Sequence, residues 1–358
     1  MEVVFAHLGK NIPAHLLDNF LSFTGRFPDL STKLILSDYC KLPKNLSAEH
    51  VYFDNSKLRD ELFLNSDHDP KFRDQFWRKS IERILAVCDY QKHNLDESIL
   101  HLESDILALP NFPFHNFEGL NSIAWQNYND DRDVASILYI PSKKSGEWLY
   151  ERLVEQISLN RTVTDMSALR AIRREYPSVC EIIPNLPEGN ALASNPMYLS
   201  AHPSRENCEL TKGVFDSAQI GMWLLGMDPR NTYGVLRIHD RAILDSGEAP
   251  LDPSRLNYSI DSEGALIAIF EDGKTYPIFS LHVHSKELQL FNSDYSRALL
   301  KYVKLGNDEK APLSRFQIKV LSKMFVSSLV SGEIINFFLG IPYVYRLRVR
   351  IRKLRDQY

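Results

Sequence analysis

The sequence has no CxxC pair, no apolar run as long as a membrane span, no excess of basic charge and no internal repeat, and each absence narrows the field. Its four cysteines, Cys40, Cys88, Cys180 and Cys208, are too scattered for a zinc knuckle or a disulfide framework and suit a reducing compartment. No stretch approaches the roughly 20 consecutive apolar residues that cross a bilayer. The formal net charge of −4 leaves no global footprint for nucleic acid, so no such partner is expected. Met1 runs straight into Val3-Val4-Phe5 without the basic and apolar segments of a secretory signal, so a cytoplasmic chain is expected. What is left is an ordinary globular balance, 44% hydrophobic and 25% charged, in a chain long enough for one large or two ordinary domains.

Read in order, the chain alternates. Residues 3–8 form an expected strand, followed by the loop His7-Leu8-Gly9-Lys10 and a helix opened by Pro13, with Leu16, Leu17, Phe20 and Leu21 at helical spacing. A second strand over 33–37 ends in Asp38, and strand–helix–strand in under forty residues predicts a parallel sheet. A third short strand is expected over 51–53. Residues 72–90 make a strong amphipathic helix, with Lys79, Glu82 and Arg83 expected on its outer face and Arg78 toward a cleft. Further strands are expected over 122–127 and 135–140, with helices over 147–159 and 166–175, the latter capped at Thr164-Asp165. Residues 190–209 are polar and irregular. A helix over 217–225 follows, and then a hairpin, 266–270 and 275–284, around Asp272-Gly273.

Two places carry chemistry. In the first, Ile99-Leu100-His101-Leu102 reads as a buried strand that delivers Glu103-Ser104-Asp105 and then stays apolar through Ile106-Leu107-Ala108-Leu109. Carboxylates at i and i+2 can face one cleft, and their oxygens suit a hard cation such as Mg²⁺ or Mn²⁺. A solvated turn is the bland alternative. In the second, strand alternation puts His282, His284 and Lys286 on one side of the hairpin's second strand. Imidazole binds divalent metals and an ammonium neutralises phosphate, so one of the two histidines is expected to complete a metal site, with Lys286 facing a diphosphate. A half-exposed strand with a polar face would look the same. Together the two places supply what a metal–pyrophosphate site needs.

This order resembles a GT-A glycosyltransferase, a family of nucleotide-sugar-dependent enzymes. Glu103-Ser104-Asp105 stands where such enzymes carry D-x-D, with Asp105 on the metal-binding acid and Glu103 in place of the first Asp. Leu281-His282-Val283-His284-Ser285-Lys286, together with Phe215-Asp216 and Gly226-Met227-Asp228-Pro229-Arg230-Asn231, is similar to segments of bacterial surface-polysaccharide transferases of the capsule and O-antigen type. The resemblance covers about residues 1–290. It implies an α/β, Rossmann-like GT-A domain over 1–290, with a mixed, mainly parallel sheet flanked by helices, and a C-terminal helical extension over 291–358. It implies that His7 and Gly9 line the base and ribose pocket with Asp38 near the base, although Asp38 would serve equally as a turn acid. The donor would be a sugar linked to a nucleoside diphosphate, with UDP first, and the acceptor a glycan, lipid-linked in the growing surface polymer. An inverting enzyme needs a general base, for which Asp216 comes first and Asp228 second; a helix cap and a turn are their plain alternatives. A non-catalytic nucleotide-sugar-binding or scaffold protein of the same fold is the alternative of another class, kept open by Glu103. A metal-dependent phosphoesterase or nucleotidyltransferase would be expected to show more clustered acids.

The last eighteen residues carry Arg346, Arg348, Arg350, Arg352, Lys353 and Arg355 against Asp356. They follow an apolar stretch, Met324 to Phe338, interrupted by Glu333. This composition is expected to place the protein peripherally on anionic membrane at the inner face of the cell membrane. An edge strand or a packed helix with a solvated basic face would carry the same pattern.

Overall fold

The computed structural model describes residues 1–41, 49–54, 67–68, 75–94, 96–129, 132–187, 209–225 and 256–284, with positions 251, 253, 286, 288, 291, 298–300 and 303. Outside them fall Asp228, Cys208, most of the 190–209 segment, most of the helical extension expected over 291–358 and the basic tail.

The first strand, β1 (Glu2–His7), leads through Pro13, at the N-cap position, into α1 (Ala14–Arg26) and then β2 (Thr32–Ser37). β2 pairs parallel to β1, and β3 (His50–Phe53) pairs parallel to β2. After α2 (Phe76–Asn94) the chain enters β4 (Ile99–Leu102), parallel to β1 on its other side. β5 (Ile106–Ala108) and a short α3 (Phe114–Phe117) precede β6 (Ile123–Asn129) and β7 (Arg132–Ile140). β7 is antiparallel to both β4 and β6. Ser142 caps α4 (Lys143–Leu159) by accepting from the Ser145 N–H, which starts that helix four residues earlier than its apolar spacing shows. α5 (Asp165–Glu175) is capped by Thr164 in a capping box with Ser167, so Asp165 is its first residue and not its cap. β8 (Cys180–Ile183) pairs parallel to β6. The result is a seven-stranded sheet of order β3-β2-β1-β4-β7-β6-β8, mixed and mainly parallel.

Alternation along the strands covers both faces of this sheet. Val3, Phe5, Leu34, Leu36, Leu100 and Leu102 meet Leu16, Phe20 and Phe23 of α1. Val4, Ala6, Ile35 and Ile99 meet Ile84, Leu85 and Cys88 of α2, with Leu149, Leu153 and Leu169 behind them. Strands buried on both faces are why these segments read as continuous apolar runs.

A second, five-stranded sheet stands at the carboxyl end of β4. It runs β10 (Asn257–Ile260), β11 (Leu266–Ile269), β12 (Thr275–His282) and β5, with β9 (Val214–Phe215) also paired to β12. The expected Asp-Gly hairpin is β11–β12, with Gly273 at φ +80°, a turn conformation glycine adopts without strain. The helix α6 (Gln219–Leu225) packs on this sheet through Ile220 and Leu224, and Leu288, Phe291, Leu299 and Val303 join the same core. No helix among the described residues is long and apolar enough to cross a membrane.

Candidate active site

The site begins where β4 leaves the first sheet. Glu103 N–H still donates to the Ser136 carbonyl of β7 (2.9 Å), and the Ile106 N–H closes the acid turn on the Glu103 carbonyl (3.0 Å). The chain then joins the second sheet as β5. Because β12 returns antiparallel to β5, with His282 opposite Ile106, its last residue arrives beside Asp105. The Val283 N–H seals the junction on the Asp105 carbonyl (2.7 Å). From α1, Asn19 donates to the carbonyls of Ser104 (3.2 Å) and Ile106 (2.8 Å), and His15 Nε2 meets Ser104 Oγ (3.3 Å). The turn carrying the acids is thus tied to three elements.

His282 Nε2 lies 3.1 Å from Asp105 Oδ2 and 3.7 Å from Glu103 Oε2. Its Nδ1 is 3.2 Å from the Ser217 carbonyl, which can only accept, so Nδ1 carries a proton and Nε2 points at the acids. An imidazole oriented through its other nitrogen by a carbonyl is the arrangement that presents a lone pair to a metal. Glu103, Asp105 and His282 together offer ligand atoms within 4.8 Å of one another, a group that could hold a metal ion. Two carboxylate oxygens and one imidazole nitrogen fit Mn²⁺ or Mg²⁺ by donor chemistry.

Charge in the centre is balanced from two sides. The ammonium of Lys286 is in contact with Asp105 Oδ2. Burial pushes the Asp105 carboxyl up, but Lys286 and then His282 overcome it and hold it well below the usual carboxylate range. Burial pulls His282 down, and the adjoining Asp105 and Glu103 carboxylates more than reverse it, leaving the imidazole above its ordinary value. Glu103 is met by Arg83 of α2, which also lies 4.0 Å from Asp165. Burial works against the Arg83 charge, and Glu103, Asp165 and Asp105 restore it. The same burial raises Asp165, with Arg83 opposing.

The residues expected from sequence fall into different places. Asp105, Glu103, His282 and Lys286 come together. His284 does not join the ligand group. β12 ends at His282 and the chain turns, with the His284 N–H donating to the His282 carbonyl (2.9 Å), so strand alternation no longer governs. Its ring lies tilted beside that of His282, with centroids 4.3 Å apart. Lys286 reaches Asp105 by this turn and not by alternation. Arg78 pairs with Glu82 one turn along α2 (2.8 Å), and Arg83 takes the position at the acids. Glu82 is buried and Arg83 half-buried, rather than on an outer face. The available signal is the acid turn itself, since a half-buried Glu103 calls for a cation, which Arg83 of α2 supplies.

His7 folds back over Gly9, with its Nε2 2.9 Å from the Asn11 carbonyl; a Cβ on Gly9 would meet that ring at 2.5 Å. The loop is bound to the end of β2 through Ser37 Oγ to the Gly9 carbonyl (3.3 Å) and Tyr39 OH to the Leu8 carbonyl (3.0 Å). His7 and Gly9 therefore form a fixed floor at the carboxyl ends of β1 and β2. Asp38 is exposed beside it, its N–H on the Phe53 carbonyl (3.3 Å).

Asp216 follows its cap alternative and extends it to a strand. Its carboxylate accepts four main-chain N–H groups: Ala218 (3.0 Å), Ile220 (2.9 Å), Gly221 (2.7 Å) and His282 (3.0 Å). These donors use the lone pairs that a general base would need. Asp216 is a clamp between the start of α6 and the end of β12. Gly221 permits that closeness, because a Cβ there would sit 2.0 Å from the His282 carbonyl oxygen.

The fold and site define an α/β protein with a carboxylate–imidazole centre at the carboxyl end of a mainly parallel sheet. No protein-family model and no curated protein matches the chain. Among solved structures it is similar to the galactosyltransferase LgtC in complex with donor and acceptor sugar analogs, at 14% identity and TM-score 0.37, over 58% of this chain and 85% of that one. It is also similar to the glycosyltransferase GlyE of Streptococcus pneumoniae TIGR4, at 15% identity and TM-score 0.35, over 91% of this chain and 63% of that one. The fold stands on its own strand order.

Proposed function

We propose that this protein is a metal-dependent glycosyltransferase that moves a sugar from a nucleoside diphosphate donor, UDP-linked first, to a hydroxyl of a glycan acceptor. The observation that carries this reading is the convergence of Glu103, Asp105 and His282 at the carboxyl ends of the parallel strands, beside the floor formed by His7 and Gly9. Ligands of open α/β sheets bind outside those ends. A divalent ion held by these three residues would neutralise charge gathering on the leaving diphosphate. The chain's own groups do the rest. Ser217 fixes the His282 ring, Arg83 holds Glu103, and Asn19 with His15 holds the turn between the acids. Lys286, whose ammonium rests on Asp105, is the cation that would face a diphosphate. With Asp216 engaged by main chain, Asp228, outside the described residues, is the acid left as base if transfer inverts. The acceptor in this proposal is a lipid-linked surface glycan, reached through the basic tail at the inner membrane face.

The test is release of nucleoside diphosphate from a panel of sugar nucleotides with Mn²⁺, with and without EDTA. Asp105→Ala should lower turnover by about a hundred- to a thousandfold, the scale of losing a main electrostatic contribution, while urea unfolding stays cooperative. Full turnover by Asp105→Ala at saturating donor would defeat the reading. Donor binding without turnover would favour a non-catalytic nucleotide-sugar binder.

A further inference from the structure

Lys286 lies four residues beyond β12, in the left-handed region at φ +62°. A long side chain seldom adopts that backbone unless its surroundings over-determine it. Two contacts do so here. The Lys286 N–H donates to the Val283 carbonyl (2.9 Å), and the ammonium rests on Oδ2 of Asp105. That oxygen is also the one His282 Nε2 approaches at 3.1 Å. One of the three candidate ligand residues is therefore already neutralised by an ammonium. A divalent ion on the same carboxylate would lie a few ångströms from the ammonium, and like charges that close in a water-poor site repel strongly. The Lys286 side chain is 24% exposed on a flexible stem, so it has room to leave.

We propose that Lys286 is a resident counter-ion of the metal centre. It must leave Asp105 before a divalent ion binds, and the diphosphate of a donor is what draws it away. Metal and diphosphate then bind cooperatively beyond what their direct contact gives, and by linkage each favours the other equally. The second half rests on the nucleotide-sugar reading above; the competition between ammonium and metal does not.

The test is Mn²⁺ binding to the full-length protein, followed by the electron paramagnetic resonance of the free ion, with and without UDP and corrected for Mn²⁺–UDP in solution. Lys286→Met keeps the length and removes the charge, and Lys286→Gln serves as a second variant, each checked for an unchanged unfolding midpoint. Without nucleotide, both variants should bind Mn²⁺ about tenfold more tightly than the natural chain, within the usual range of coupling between two sites. Their gain on adding UDP should shrink by a similar factor. Equal or weaker binding of Mn²⁺ alone, or an undiminished gain from UDP, would overturn the proposal. Sugar transfer by the natural chain together with such a result would overturn this inference and leave the transferase reading intact. Tighter Mn²⁺ binding by the variants with no transfer from any donor would do the reverse for the competition. If no protein binds Mn²⁺ more tightly than Asp105→Asn, with or without UDP, both fall.

Discussion

Four N–H groups from two elements end on the carboxylate of Asp216, and this makes a prediction that separates a structural acid from a catalytic one. Asp216→Asn turns one acceptor into a donor facing other donors. Buried N–H groups left without a partner cost about 1–3 kcal/mol. The stability of Asp216→Asn, read from urea unfolding, should therefore fall by about 2 kcal/mol or more. A variant that loses turnover at unchanged stability would return Asp216 to the role of base. Sequence position alone could not decide this. An acid before a short helix is the usual place for a cap, but the fourth donor, the His282 N–H, comes from a strand 66 residues away. Arg83 was hidden for a similar reason. Helical periodicity marks which residues face away from the apolar stripe, and it does not show that Glu103 and Asp165 lie opposite Arg83.

At the scale of elements, β4 sits between β1 and β7 and is wholly buried. It nevertheless carries His101, whose Nδ1–H donates to the Val4 carbonyl (2.9 Å) and whose Nε2 makes no hydrogen bond. Burial first, and the nearby Arg83 charge second, push this imidazole down to about 3. It is neutral in the folded protein while the unfolded chain titrates near 6.5, so between those values the unfolded state holds the extra proton. The contribution is whole above about pH 6.5 and is lost as pH falls toward 3, at about 1.4 kcal/mol per pH unit. Between pH 7 and pH 5 the natural chain should lose about 2 kcal/mol more than His101→Asn, measured by urea unfolding at each pH. Equal losses would mean that His101 does not titrate in this window. The elements themselves were largely legible, because strands buried on both faces, a proline-led α1 and an Asp-Gly hairpin each leave a local mark. The split of 99–109 between two sheets leaves none, since both halves are apolar and only the partner strands tell them apart.

For the whole molecule, charge is unevenly placed along the sequence: a chain of net −4 ends in six basic residues against one acid over 341–358. Each basic residue near an anionic surface contributes about 1 kcal/mol, and the attraction fades as the Debye length falls from about 10 Å at 0.1 M salt to about 3 Å at 1 M. The full chain should cosediment with vesicles containing phosphatidylserine at low salt and release at high salt, and a chain ending at Gly340 should not cosediment. Equal binding by both, or binding indifferent to salt, would assign the arginines to another use.

The crossing from one sheet to the other also sets an order in time. All seven strands of the first sheet come from residues 2–183, whereas Asp105 meets His282 across 177 positions of sequence. Synthesis proceeds at about 5–20 residues per second, with early regions folding first. The first sheet can therefore close while β12 is still unmade, leaving the acid turn at its edge for roughly 5–20 seconds without imidazole or ammonium. A growing chain therefore cannot bring Glu103, Asp105 and His282 together until β12 has been made and has paired with β5.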